Sequence, residues 1–201
     1  MRPARTRLLI LLATTSMTVI VSTAPATSAT SARGRCNGLV RLCDVRLGDV
    51  AFATTHNSMA SSADGFVPPN QDEPMAAQLR HGIRGFQIDV YAGVPRKGRV
   101  YTELEGRFGS QATDLPRVFV DQAVRIHRAI GAPPAGSPTQ VYLCHTFCEL
   151  GAVRMSTVMR QVRAFLDAHP REALAMVVED YVPPERVREV LDRAGLGPML
   201  L

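Results

Sequence analysis

The sequence carries no Gly-x-Ser-x-Gly elbow, no Gly-x-x-x-x-Gly-Lys-Ser/Thr phosphate loop and no His-Glu-x-x-His pair. The serine hydrolases, P-loop nucleotide enzymes and zinc proteases that those motifs mark are therefore not the first readings. No basic run is longer than two residues. The formal net charge is +5, but Arg2, Arg5 and Arg7 supply three of those charges and leave +2 for the remainder. That is too little for a nucleic-acid binder, which presents a basic stripe or patch. No uninterrupted apolar run reaches the roughly 20 residues that a spanning helix needs, and no internal repeat is evident. With 46% hydrophobic and 20% charged residues, the 201-residue chain has a globular composition.

What is present begins with a leader. Arg2, Arg5 and Arg7 precede an apolar stretch, LLILLATTSMTVIVSTAPA, that ends in small residues. A basic head, an apolar centre and the cleavage motif Ala24-Pro25-Ala26 predict a secretory signal peptide over 1–26, and hence a secreted protein. Residues 27–35, TSATSARGR, read as a disordered Ser/Thr/Ala linker before a single domain over 36–201. The four cysteines are Cys36, Cys43, Cys144 and Cys148. An even number in an exported chain favours two disulfides, with three pairings possible. Nearest-neighbour pairing is expected, Cys36 with Cys43 and Cys144 with Cys148. A four-thiolate zinc site is the alternative, at spacings that are not the usual ones.

Strand and helix patterns alternate beyond the linker. Residues 49–56, 85–92, 139–146 and 173–181 read as strands, the last a continuous apolar run expected to be covered on both faces. Residues 73–82, 115–131, 155–170 and 184–195 read as helices, the first stopped by Gly82 and the last started by Pro and ended by Gly. This order predicts an α/β fold with a parallel sheet and helical crossovers. Residues 93–138, rich in Gly and Pro and carrying their own helix, read as an excursion from the sheet.

Each apolar strand finishes in groups able to move a proton or hold a cation. The first ends in His56-Asn57. The second carries Gln87 and Asp89, two apart and so on one face. The third ends in His145, and the fourth in Glu179-Asp180, of which Asp180 should face the other way. Ligands bind outside the carboxyl ends of parallel strands, so the four ends are expected to converge. Two histidines suit acid and base duties near neutral pH. Asn57, Asp89 and Glu179 are hard oxygen donors that suit calcium or magnesium better than zinc. His81 and His169 read as structural, His127 as a packed or half-exposed histidine, and Arg84 as a salt-bridge residue.

The segments CNGLVRLCDVRLGDVAFATTHNSM, GIRGFQIDVY, YLCHTFCELGA and HPREALAMVVEDY resemble the X region of secreted phosphatidylinositol-specific phospholipase C-like phosphodiesterases. The match runs from about Cys36 to Tyr181, interrupted at 93–138. The resemblance implies a TIM-type barrel, here incomplete, with about the first four β/α units present and truncated at its C-terminus. It implies His56 and His145 as the catalytic histidines and Asn57, Asp89 and Glu179 as ligands of a calcium ion, with magnesium as the other candidate. Position 87 departs from the pattern, since calcium-dependent members usually have glutamate there, and Gln87 supplies no charge. The function implied is cleavage of a phospholipid head-group phosphodiester, with peripheral contact to a membrane surface and no nucleic-acid partner. A glycerophosphodiester or sphingolipid phosphodiesterase on the same barrel is one alternative. A secreted relative that binds a head group without turnover is another.

Overall fold

The computed structural model describes residues 7–13, 34–103 and 115–201; the expected cleavage motif and almost all of the expected linker lie outside the described residues. The strands are β1 (Arg7–Ala13), β2 (Thr54–Thr55), β3 (Gly85–Arg96), β4 (Arg99–Tyr101), β5 (Gln140–Leu143), β6 (Val153–Arg154) and β7 (Ala173–Asp180). The helices are α1 (Met75–Arg80), α2 (Arg117–Ile130), α3 (Met155–Ala168) and α4 (Pro184–Arg193). Helix positions therefore follow the sequence pattern to within a few residues. The first expected strand is shorter than its apolar pattern: Leu47–Asp49 form a 3-10 turn, and only Thr54 and Thr55 pair. Residues Arg7–Ala13, within the expected leader, pair in parallel with β7 at one edge of the sheet.

The TIM-type barrel is not formed. The main sheet is open, in the order β1-β7-β3-β5-β6, with β2 beside the start of β3 and β4 paired to its end. It is also mixed, because β5 runs antiparallel to β3 and β6 antiparallel to β5, whereas β2 and β7 run parallel to β3. The cause lies at the far end of β3. That strand runs on to Arg96, past the end expected for it, and turns through Lys97 and Gly98 into β4, with Arg96 opposite Arg99. Both turn residues have positive φ, 45° and 77°, the two-residue hairpin geometry whose twist matches the flanking strands. The chain then passes through α2 and re-enters the sheet from that end, so β5 is antiparallel. A barrel needs each strand to return through a crossover to a parallel neighbour.

Helices cover one face of this sheet. Phe86, Ile88 and Val90 of β3, Leu174, Met176 and Val178 of β7 and Leu143 of β5 are buried there. They form one cluster with Met75 and Leu79 of α1, Met155, Met159, Val162 and Leu166 of α3, and Val187 and Leu191 of α4. Each large apolar side chain buried in this way contributes about 1.5–3 kcal/mol, so this face holds the sheet together. The two-sided burial expected of β7 is not found. Its alternate residues Ala173, Ala175 and Val177 are only half-buried, the pattern of a strand packed on one side.

Two disulfides and one side-chain clamp complete the frame. Disulfides join Cys36 to Cys43 and Cys144 to Cys148, the nearest-neighbour pairing, and such bonds persist in oxidising compartments such as the exterior. The Asn37 side chain accepts from Ala173 N–H at 2.7 Å and donates to its carbonyl at 3.0 Å, fastening the first disulfide loop to the start of β7. Among the described residues no helix is long and apolar enough to cross a membrane.

Candidate active site

The face opposite the helices carries the polar residues. Gln87, Asp89 and Tyr91 alternate with the buried Phe86, Ile88 and Val90 along β3 and so point to the opposite side. In the parallel pairing of β3 with β7, Asp89 stands in register with Glu179 and Val90 with Asp180. Glu179 therefore shares the face of Asp89, while Asp180 lies with Val90 on the helix-covered side. The sequence periodicity had placed these residues correctly on their faces.

The remaining groups reach the same level by different routes. Thr55 pairs with Phe86, and the next turn is bound to β3 by Ser58 N–H donating to Gln87 O at 2.8 Å. His56 and Asn57 are thus held beside Gln87. Asn57 has a φ of 47°, in the left-handed region that asparagine tolerates better than most residues. An amide at the turn therefore answers a backbone demand as well as any chemical one. β5 arrives antiparallel, with Leu143 opposite Val90 and Cys144 N–H donating to Asp89 O at 3.3 Å. His145 follows directly. Its strand runs opposite to the direction expected, yet it arrives at the level of Asp89 because β3 extends beyond the site and lets β5 descend to it. The disulfide between Cys144 and Cys148 closes the loop that carries His145.

One side chain ties the cluster. The Gln87 Nε2 donates to Asp89 Oδ1 at 2.9 Å and to Glu179 Oε1 at 2.7 Å, while its Oε1 accepts Asn57 N–H at 2.6 Å. Asp89 is 4% exposed. Burial, reinforced by the neighbouring Glu179 charge and opposed by the Gln87 hydrogen bond, raises its pKa to about 7. His145 is held below its ordinary value of 6.5, first by burial and then by the nearby His56, with Glu179 acting in the other direction. Its neutral form, able to accept a proton, is thereby favoured. Tyr181 was not among the expected site residues. Its hydroxyl donates to Glu179 Oε2 at 3.3 Å, and its ring stacks on buried Tyr91 at 4.5 Å. Burial and the charges of Glu179 and Asp89 raise its pKa, so the phenol stays protonated. The period-two spacing of Tyr181 from Glu179 and of Tyr91 from Asp89 is the signal that would have found both.

Other polar candidates stand elsewhere. Arg84 pairs with Glu172, exposed His81 with Glu73, and the His169 ring with the Phe165 carbonyl. His127 is half-buried, as expected, and its Nδ1 lies 2.9 Å from the buried Glu149 carboxylate. The cavity of about 340 Å³ beside Met75 and Val158, and that of about 440 Å³ beside the β3–β4 turn, include none of the site residues. The site grades from buried Asn57 and Asp89 to exposed His56 and Tyr181.

Among the described residues no three His, Cys, Asp or Glu side chains form a metal-ligand group. The donor chemistry nevertheless fits a hard divalent cation. Two carboxylates approach one shared nitrogen, and burial and mutual repulsion hold Asp89 partly protonated near neutral pH, the tension that a cation between oxygen donors relieves. No family model, no curated protein and no solved structure matches the chain.

Proposed function

We propose that the chain is an exported phosphodiesterase that cleaves a phospholipid head-group phosphodiester with His145 and His56 as its proton-transfer pair. The observation that carries this reading is His145, whose basicity is lowered by burial and by His56 beside the Asp89–Glu179 pair. A general base works best with its neutral form populated near the working pH. His145 takes the proton of the attacking hydroxyl as that oxygen bonds to phosphorus. The bond from phosphorus to the leaving oxygen breaks, and His56, exposed at the rim, gives that oxygen a proton.

Asn57, Asp89 and Glu179 would hold a calcium ion, or magnesium, through side-chain oxygens. Such an ion supplies neutralisation of charge on a phosphoryl oxygen. Tyr181, protonated and bonded to Glu179, keeps that carboxylate on the site face. Exposed His56 and Tyr181 at the edge of the site suit a head group presented at a membrane surface and contacted peripherally.

The test is hydrolysis of phosphatidylinositol in mixed vesicles and of soluble glycerophosphodiesters, in calcium and in chelator, by wild type and His145→Ala. Product release by wild type and a fall of about 100-fold or more in the variant, the usual scale for losing an acid–base group, is the expected result. Equal activity of the two proteins would remove the mechanism.

A further inference from the structure

Gln87 meets the two site carboxylates with its nitrogen, the atom that cannot ligate a cation. A primary amide has two N–H donors on one side and a carbonyl acceptor on the other. Here all are engaged, Nε2 with Asp89 and Glu179 and Oε1 with Asn57 N–H. Turning the amide over would set its NH2 against the Asn57 N–H and its oxygen against two carboxylates. Three hydrogen bonds would become three repulsions. The Gln87 backbone from which the side chain projects is fixed as well: Gln87 N–H donates to Ser58 Oγ at 3.0 Å and Ser58 N–H donates to Gln87 O at 2.8 Å. Ser58 is in turn bonded to Thr55, with its Oγ donating to the Thr55 carbonyl at 2.7 Å.

We infer that the Gln87 amide is the resident counter-group of the Asp89–Glu179 pair, which a divalent cation must displace, so that Gln87 sets a low cation affinity for this site. The inference rests on the cation reading above. A cation that enters between the carboxylates gains their charge but breaks both Nε2 bonds and leaves the NH2 group without its acceptors. Glutamate at 87 would act in the opposite sense. It keeps an oxygen for Asn57 N–H and turns a second oxygen toward Asp89 and Glu179, so that three carboxylates converge and require a cation. Affinity at oxygen sites rises with the number of charged ligands.

The test reads binding and not turnover, so its failure is separate from failure of the phosphodiesterase reading. Calcium is titrated calorimetrically into the full chain as wild type, Gln87→Glu and Gln87→Glu/Asp89→Asn, with thermal melts in chelator and in calcium. The expected result is a dissociation constant of about millimolar order for wild type and at least about tenfold tighter binding for Gln87→Glu. The single variant should melt below wild type in chelator and recover in calcium, and the added Asp89→Asn should abolish the gain. Should Gln87→Glu not fold, the wild-type Gln87 side-chain amide resonances, followed by NMR, should shift in step with calcium occupancy. Binding by Gln87→Glu no tighter than wild type would overturn the inference. So would calcium saturation of wild type with those amide resonances unmoved.

Discussion

Asp89 and Glu179 are register partners on adjacent parallel strands, and one amide nitrogen, Gln87 Nε2, lies within hydrogen-bond distance of both. Partners in register share a face of the sheet, so the strand pairing itself sets the two carboxylates side by side. The electrostatic tension of the site is therefore built into the backbone, and it has a pH signature.

Asp89 titrates at about 7 in the folded chain against 3.8 as its ordinary value. A carboxyl with a raised folded pKa holds more protons in the native than in the unfolded state. Its favourable contribution is present below about 4 and is lost as pH rises toward about 7. In chelator, the melting temperature of wild type should fall relative to Asp89→Asn across that window. Calorimetric scans of both proteins at fixed ionic strength measure this, and a difference that does not change with pH refutes the assignment.

His145 should titrate below 6.5 by NMR of its imidazole, since burial and His56 both disfavour its charged form. Removing the neighbouring positive charge in His56→Ala should raise that pKa. Glu179→Gln should lower it further, because Glu179 favours the imidazolium. The two variants must move the titration in opposite directions; a common direction would mean that the three groups do not interact as described.

Glu149 anchors the excursion to the loop that carries His145. It is fully buried, and it accepts from Thr102 N–H at 2.9 Å and from His127 Nδ1 at 2.9 Å. Removing the imidazole leaves a buried carboxylate short of a donor, at a cost of about 2–3 kcal/mol. Urea denaturation of His127→Ala should show this as a lowered midpoint with an unchanged slope. A midpoint equal to wild type would show that the pair holds nothing in place.

Gly85 leaves room for the strand that delivers His56. A Cβ there would lie 2.0 Å from Thr54 Oγ1 and 3.0 Å from Thr54 Cα. The second contact is with backbone and cannot be relieved by a rotamer. Gly85→Ala should therefore destabilise the chain by about 1–3 kcal/mol and shift the His56 resonances as β2 is pushed aside. An unfolding midpoint and His56 spectrum equal to wild type would contradict this close approach.

Much of this molecule was legible before its fold was known. The helices over 117–130, 155–168 and 184–193 are marked by apolar residues at helical spacing or, for the last, by a Pro start and a Gly stop. The alternation of Gln87 and Asp89 with Phe86, Ile88 and Val90 marks a two-faced strand. The cysteine spacing also agrees with the disulfides that form. These features are local, and each depends on residues a few positions apart. The Glu149–His127 pair was not legible, because 22 residues and a change of element separate its members.

Local periodicity determined which residues face together along each strand, and so placed Asp89 with Gln87 and set Asp180 apart from Glu179. It did not determine the direction in which a strand enters the sheet, since a short apolar strand reads alike in parallel and antiparallel pairing. That was decided by the β3–β4 hairpin and the path through α2, which turned an expected parallel barrel into an open mixed sheet. The same path brings His145 down to Asp89. Only the tertiary pairing revealed that the nitrogen of the Gln87 amide, and not its oxygen, stands between Asp89 and Glu179, because the orientation of an amide is set by the partners that long-range folding supplies.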